Sequence, residues 1–277
     1  MDIKLIFSDI DRTILPAKGG ISAETVQAVA DCRAAGVEFV LASGRWYPAA
    51  KLISEDALGI RDGYIICCNG GAVVHSNGKP LMEWGMSDEE CRRVYEILWK
   101  EKVMMTAYVR HGIYRLRGKY LTVFRLPEVG FFSNDAAYEV VDEDEARFLQ
   151  EGMRHPYKME AYSDDFELLA RLREELRAAG LQVNSSFPCN LEIMGAGMGK
   201  GAAVRWLTEH LGFTREQTMG FGDYTNDIPM LENVGWPVAV DNACDEVKSI
   251  CRMVVPACEE NGVAQTIRKY ILGDEKP

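Results

Sequence analysis

Asp9 and Asp11 follow the apolar run Leu5-Ile6-Phe7 after Ser8 and are separated by one residue, with the hydroxyl of Thr13 two positions on. The run reads as a buried strand, and if its pleat continued past Phe7 the two acids would point the same way. Like charges that close resist joint ionisation, so one can stay protonated while the other is an anion, unless a cation alters the balance. That division suits a nucleophile beside a proton donor. An acidic loop after a core strand has the same spelling, so the pair acquires chemical meaning only if partners exist elsewhere.

Three further stretches offer them. Val37 to Ala42 is an apolar run ending in Ser43-Gly44-Arg45, a hydroxyl and a flexible backbone that also make an ordinary turn. Gly195-Ala196-Gly197-Met198-Gly199-Lys200-Gly201 opens a helical pattern, which puts Lys200 near exposed N–H groups and the positive end of a helix dipole, an anion-favouring place. The spacing is not that of a Walker loop, because Gly201 stands where a hydroxyl residue is required, and a flexible hinge is the alternative. Thr218 to Gly222 delivers Asp223, with Asn226 and Asp227 just before another helix. Oxygen side chains crowded at a strand-to-helix turn suit a hard divalent cation such as Mg²⁺, although Asp227 also suits a helix cap.

These residues need a common scaffold. Ser22 caps a helix that Gly36 ends, and strand, helix and strand in so short a space predict a right-handed parallel crossover. Ligands of such sheets collect at the carboxyl edge, where Asp9 and Ser43 both fall. Tyr64 to Cys68 reads as a third strand ended by the Asn69-Gly70-Gly71 turn, and Asn77-Gly78 signals a hairpin. The rhythm then changes. Ser87 and Glu90 form a capping box for a helix through Trp99; strands are predicted at 103–109, 113–116 and 158–162, and Asp164 with Glu167 opens a helix ended by Gly180. Residues 120–137 are turn-rich and aromatic and predict no definite element. The expected organisation is a discontinuous core, residues 1–84 and 190–277, carrying a spliced α/β domain at 85–189.

Composition narrows the partners. The 277 residues carry a formal net charge of -11, which argues against a nucleic-acid backbone as main partner. No apolar run approaches a membrane span, and Met1 to Lys4 leads straight into a strand with no signal pattern, so a cytoplasmic location is expected. The 8 cysteines lack a Cys-x-x-Cys pair and read as buried thiols. Oligomeric state is left open.

Asp9-Ile10-Asp11-Arg12-Thr13, Ser43-Gly44-Arg45, Gly199-Lys200-Gly201 and Gly222-Asp223-Tyr224-Thr225-Asn226-Asp227-Ile228-Pro229-Met230-Leu231 occur in the order found in one family. Through them the chain resembles the haloacid dehalogenase-like (HAD) superfamily of phosphatases, and more closely its Cof-type branch. The resemblance implies an α/β fold: a Rossmann-like parallel-sheet core with an inserted α/β cap domain that sets substrate selectivity. It implies Asp9 as nucleophile, Asp11 as the acid and later the base, and Ser43, Gly44 and Lys200 as holders of the phosphoryl oxygens. It further implies Mg²⁺ held by the Asp9 carboxylate, the Asp11 carbonyl and Asp223, with Asn226 and Asp227 in or beside that shell. Arg45 is a possible substrate contact and Asn69 a turn residue. The family usually has glycine where this chain has Arg12. The implied activity is Mg²⁺-dependent hydrolysis of a small phosphorylated metabolite, such as a sugar phosphate, through an aspartyl-phosphate. A phosphomutase sharing that intermediate and a non-catalytic phospho-ligand sensor are the alternatives. In the cap, Tyr108, Arg110, His111 and Arg125 are candidate ligand contacts that surface charge and core aromatics explain equally.

Overall fold

In the computed structural model, which describes residues 1–110, 112–116, 140–142 and 145–273, the opening apolar run is β1 (Leu5–Ser8), fully buried. Helix α1 (Ala23–Ala34) follows, with the Ser22 hydroxyl accepting from the Thr25 N–H at 3.1 Å as its cap. Then come β2 (Glu38–Ala42), α2 (Tyr47–Leu52), β3 (Tyr64–Cys67), β4 (Ala72–His75) and β5 (Pro80–Glu83). The middle of the chain forms α3 (Asp88–Glu101), β6 (Met104–Val109), β7 (Gly112–Leu116), β8 (Val140–Asp142), α4 (Glu145–Arg147), β9 (Lys158–Tyr162), α5 (Phe166–Ala178), β10 (Gln182–Asn184) and β11 (Asn190–Met194). The last part supplies α6 (Lys200–His210), β12 (Thr218–Gly222), α7 (Ile228–Leu231), β13 (Trp236–Val240), α8 (Asp245–Ile250), β14 (Met253–Val255) and α9 (Gly262–Ile267).

The chain divides into two compact units, Met1–Met82 with Gly199–Pro277, and Glu83–Met198. In the first, eight strands run in the order β14-β13-β12-β1-β2-β3-β4-β5, and the six from β14 to β3 are parallel. Strands paired this way need apolar residues on both faces, which is why Phe7, Phe39, Val40, Phe221 and Val238 are buried. The chain leaves β1 for β2 on one side, while β12 to β14 pair on the other. The loops after β1 and β12 therefore part at the carboxyl edge and leave a crevice.

Among the described residues the second unit has a six-stranded sheet, β10-β11-β9-β6-β7-β8, antiparallel except for the β7/β8 pair. One face, with Met105, Ala107, Met159, Ala161, Leu191 and Ile193, shares an apolar core with Cys91, Val94 and Leu98 of α3 and Leu169, Leu172 and Leu176 of α5. The alternate residues are polar yet buried: Thr106, Lys158, Glu160 and Glu192. Buried charge persists only when paired, and here Lys158 bridges Glu160 and Glu192 while the Tyr108 hydroxyl donates to Glu160 at 2.8 Å.

The boundary expected between 189 and 190 falls instead between Met198 and Gly199. Residues 190–194 pair with β9 and β10, so backbone hydrogen bonds retain them in the middle unit. The cap of α5 is Asp165, whose carboxylate accepts from the Leu168 N–H at 2.9 Å, one residue later than the expected Asp164. Of the candidate ligand contacts, Tyr108 is a core residue and Arg110 pairs with Glu83, while His111, Arg125 and the 120–137 stretch lie outside the described residues. All eight cysteines are free, five of them buried. Among the described residues no helix is long and apolar enough to cross a membrane.

Candidate active site

The strand β1 ends at Ser8, and the chain then turns rather than continuing the pleat: the N–H groups of Thr13, Ile14 and Leu15 all donate to the Ile10 carbonyl. Asp9 and Asp11 consequently acquire different surroundings, contrary to the shared direction expected of an extended strand. Asp9 stays on the sheet, its N–H bonded to the Phe221 carbonyl of β12 at 3.0 Å, and its side chain is only 8% exposed. Asp11 is 25% exposed and grips Arg45 in a bidentate pair, with Nε at 3.0 Å and Nη2 at 2.7 Å. Both Asp11 oxygens are engaged, so donating a proton to a leaving group requires giving up one of these bonds. Arg45, expected as a substrate contact, thus touches another site residue.

Lys200 reaches from the first turn of α6 into the same edge. Its ammonium lies 2.6 Å from Asp9 Oδ1 and 2.6 Å from Asp227 Oδ1, and its side chain is fully buried. An ammonium has three hydrogens, which leaves one without a partner among the described residues. Asp227 also anchors the turn behind it, because its Oδ2 accepts from the N–H groups of Asp223 (3.0 Å) and Tyr224 (3.3 Å). Thr13 donates to Asp223 Oδ1 at 3.3 Å, tying the β1 loop to the β12 loop. Asn226 is buried on that same turn.

Ser43 follows β2 at this edge; its hydroxyl accepts from the Arg45 N–H at 3.2 Å and its carbonyl from the Asn69 N–H at 3.0 Å. Gly44 lies between Ser43 and Arg45 in that turn. Asn69, read from the sequence as a turn residue, is one, with φ 54°. Among the described residues its buried side-chain oxygen and nitrogen have no hydrogen-bond partner, which is costly for an amide unless something polar meets it in another state of the protein.

Carboxylate oxygens of Asp9, Asp223 and Asp227 all lie within 4.8 Å of one another. Three buried acids with a single ammonium form an oxygen-only, electron-rich donor set that a hard divalent cation fits. The Asp11 carboxylate is outside this cluster. Burial raises the Asp223 carboxyl from 3.8 to about 7, with Asp227 adding and Arg12, Lys200 and Thr13 opposing. Burial likewise raises Asp9 well above 3.8 despite the attraction of Lys200. Between those values the folded chain holds more protons than the unfolded one, so the metal-free protein loses stability as pH climbs from about 4 to about 7. Urea unfolding in chelator checks this: the midpoint at about pH 8 is expected below that at about pH 5, with a divalent cation raising the former. A midpoint that rises with pH contradicts it.

Gly201, which spoils the Walker spacing, has a packing reason. A Cβ there would sit 2.3 Å from the Pro229 carbonyl oxygen of α7, so α6 approaches α7 only because the side chain is missing. Gly201→Ala gains about 1 kcal/mol of helix propensity but overpacks a backbone contact at roughly 1–3 kcal/mol. The contact is far too short to be absorbed, so a net loss is expected in urea unfolding, with reduced turnover as Lys200 shifts. Increased stability would contradict it.

A family model of haloacid dehalogenase-like hydrolases matches residues 6–267. A Streptococcus pyogenes protein provisionally named a phosphatase is 30% identical, over 98% of this chain and 100% of that one. The 5-amino-6-(5-phospho-D-ribitylamino)uracil phosphatase YcsE of Bacillus subtilis is 29% identical, covering 98% of this chain and 97% of its own. A solved structure of a haloacid dehalogenase-like hydrolase from B. subtilis superposes with a TM-score of 0.82 at 25% identity, covering 97% of this chain and 100% of the other.

Proposed function

The chain belongs to the haloacid dehalogenase-like hydrolases, and from that premise we propose that it is a Mg²⁺-dependent phosphatase of small phosphorylated metabolites. The observation that carries the proposal is the convergence of Asp9, Lys200, Asp223 and Asp227, drawn from three distant segments, at one sheet edge. The likeness to a phosphatase of a phosphorylated ribityl compound supports a small organic phosphate ester as substrate.

In this reading the Asp9 carboxylate attacks phosphorus while the P–O bond to the organic group breaks, giving an aspartyl-phosphate. Asp11, released from one of its bonds to Arg45, passes a proton to the departing oxygen. It then takes a proton from water as that water attacks phosphorus, the P–O bond to Asp9 breaks, and inorganic phosphate leaves. Lys200 holds a phosphoryl oxygen with its remaining hydrogen, Ser43 and the backbone at Gly44 hold others, and charge neutralisation supplies most of the rate. The carboxylates of Asp9 and Asp223 with the Asp11 carbonyl, and Asn226 and Asp227 in or beside the same shell, would hold Mg²⁺, which would supply positive charge against the phosphoryl group. The middle unit sets selectivity for the organic group.

A screen of phosphorylated metabolites, with Mg²⁺ and with chelator, tests this. Release of inorganic phosphate that chelator abolishes is the expected result. Activity indifferent to chelator defeats the metal assignment, and an isomerised sugar phosphate in place of free phosphate defeats hydrolysis.

A further inference from the structure

Arg12 stands between two residues of the site, Asp11 and Thr13, and its backbone is held on both sides. Its N–H donates to the Leu15 carbonyl at 2.7 Å, and its carbonyl accepts from the Asn242 side chain at 2.8 Å. Those bonds impose φ 62°, left-handed backbone that glycine adopts without strain and arginine does not. A long cationic side chain persists where the backbone favours none, and such local strain concentrates at functional positions.

The other cations of the site are committed: Lys200 to Asp9 and Asp227, Arg45 to Asp11. Arg12 is exposed, and among the described residues its guanidinium has no hydrogen bond or ion pair. Its two chain neighbours are both engaged in the site, Asp11 with Arg45 and Thr13 with Asp223 Oδ1 at 3.3 Å, which places Arg12 at the site rather than on a remote surface.

We propose that Arg12 recognises a second anionic group on the substrate, a carboxylate or another phosphoryl group, distinct from the phosphoryl group that reacts. This rests on the phosphatase reading above and narrows it to doubly anionic metabolites. A planar guanidinium suits both kinds of group, because it offers two parallel N–H donors to two oxygens.

The test compares wild type, Arg12→Gly and Arg12→Lys with Mg²⁺ on three esters: glycerol 2-phosphate, 3-phosphoglycerate and fructose 1,6-bisphosphate. Glycine suits the left-handed backbone, so the first variant keeps the fold. Relative to glycerol 2-phosphate, Arg12→Gly is expected to lose at least about tenfold in kcat/KM on one or both doubly anionic esters, chiefly through KM. Arg12→Lys restores part of it, and whichever ester shows the larger loss identifies the anion. Added salt should erode the wild-type preference more than that of the glycine variant. Equal losses on all three esters, or a fall confined to kcat, overturn the assignment of Arg12 and leave the phosphatase reading standing. Failure of wild type to hydrolyse any of the three overturns both.

Discussion

Asp9→Asn is expected to lower kcat by at least about 10⁴-fold while leaving the fold intact. The amide matches the carboxylate in shape and its oxygen can still accept from Lys200, which now lies 2.6 Å from Asp9 Oδ1. What disappears is the nucleophile, and with it any covalent intermediate. The substitution also removes a buried carboxyl whose pKa is raised by burial and by the neighbouring charges of Asp227 and Asp223. Stability in chelator at about pH 8 should therefore equal or exceed that of wild type. Phosphate release and urea midpoints, measured on the same preparation, check both halves. Residual turnover within about tenfold of wild type would remove Asp9 from the nucleophile's role.

Lys200→Met carries the largest expected loss of stability. The methionine fills the space, but Asp9 and Asp227 are then buried beside each other and Asp223 with no cation, at a cost of roughly 3–5 kcal/mol. The wild-type ammonium is raised above its usual range, with Asp227 and Asp9 outweighing the burial that opposes them. Its contribution is thus complete below the unfolded lysine value of about 10.4 and fades only as pH rises beyond it. In the variant the acids can escape only by protonation, so the deficit should be larger at about pH 8 than at about pH 5. Urea unfolding at both pH values measures it, and a deficit under about 1 kcal/mol at the higher one would show that Lys200 does not neutralise the cluster.

Much of this was legible in one dimension. The runs at 5–7, 37–42 and 218–222 read as buried strands, and their pairing in parallel brings the residues that end them to one edge. Short-range signals were equally readable: the Ser22 cap and the Ser87–Glu90 capping box are contacts within one helical turn. Where a neighbouring residue offered the same chemistry, as Asp165 did beside Asp164, spacing alone was ambiguous.

Composition and pattern determined the parallel sheet and pointed to a second unit and to candidate acids and a lysine, because periodicity and turn chemistry are local properties. Only the folded chain decided which charges meet. It divided Asp9 from Asp11, turned Arg45 onto Asp11 and set Lys200 between Asp9 and Asp227. It also left the Asn69 amide orphaned and Arg12 unpaired among the described residues. The reason is electrostatic: a buried charge is set by everything within a few ångströms, and here those neighbours come from segments nearly two hundred residues away, such as Lys200 and Asp9 at a separation of 191.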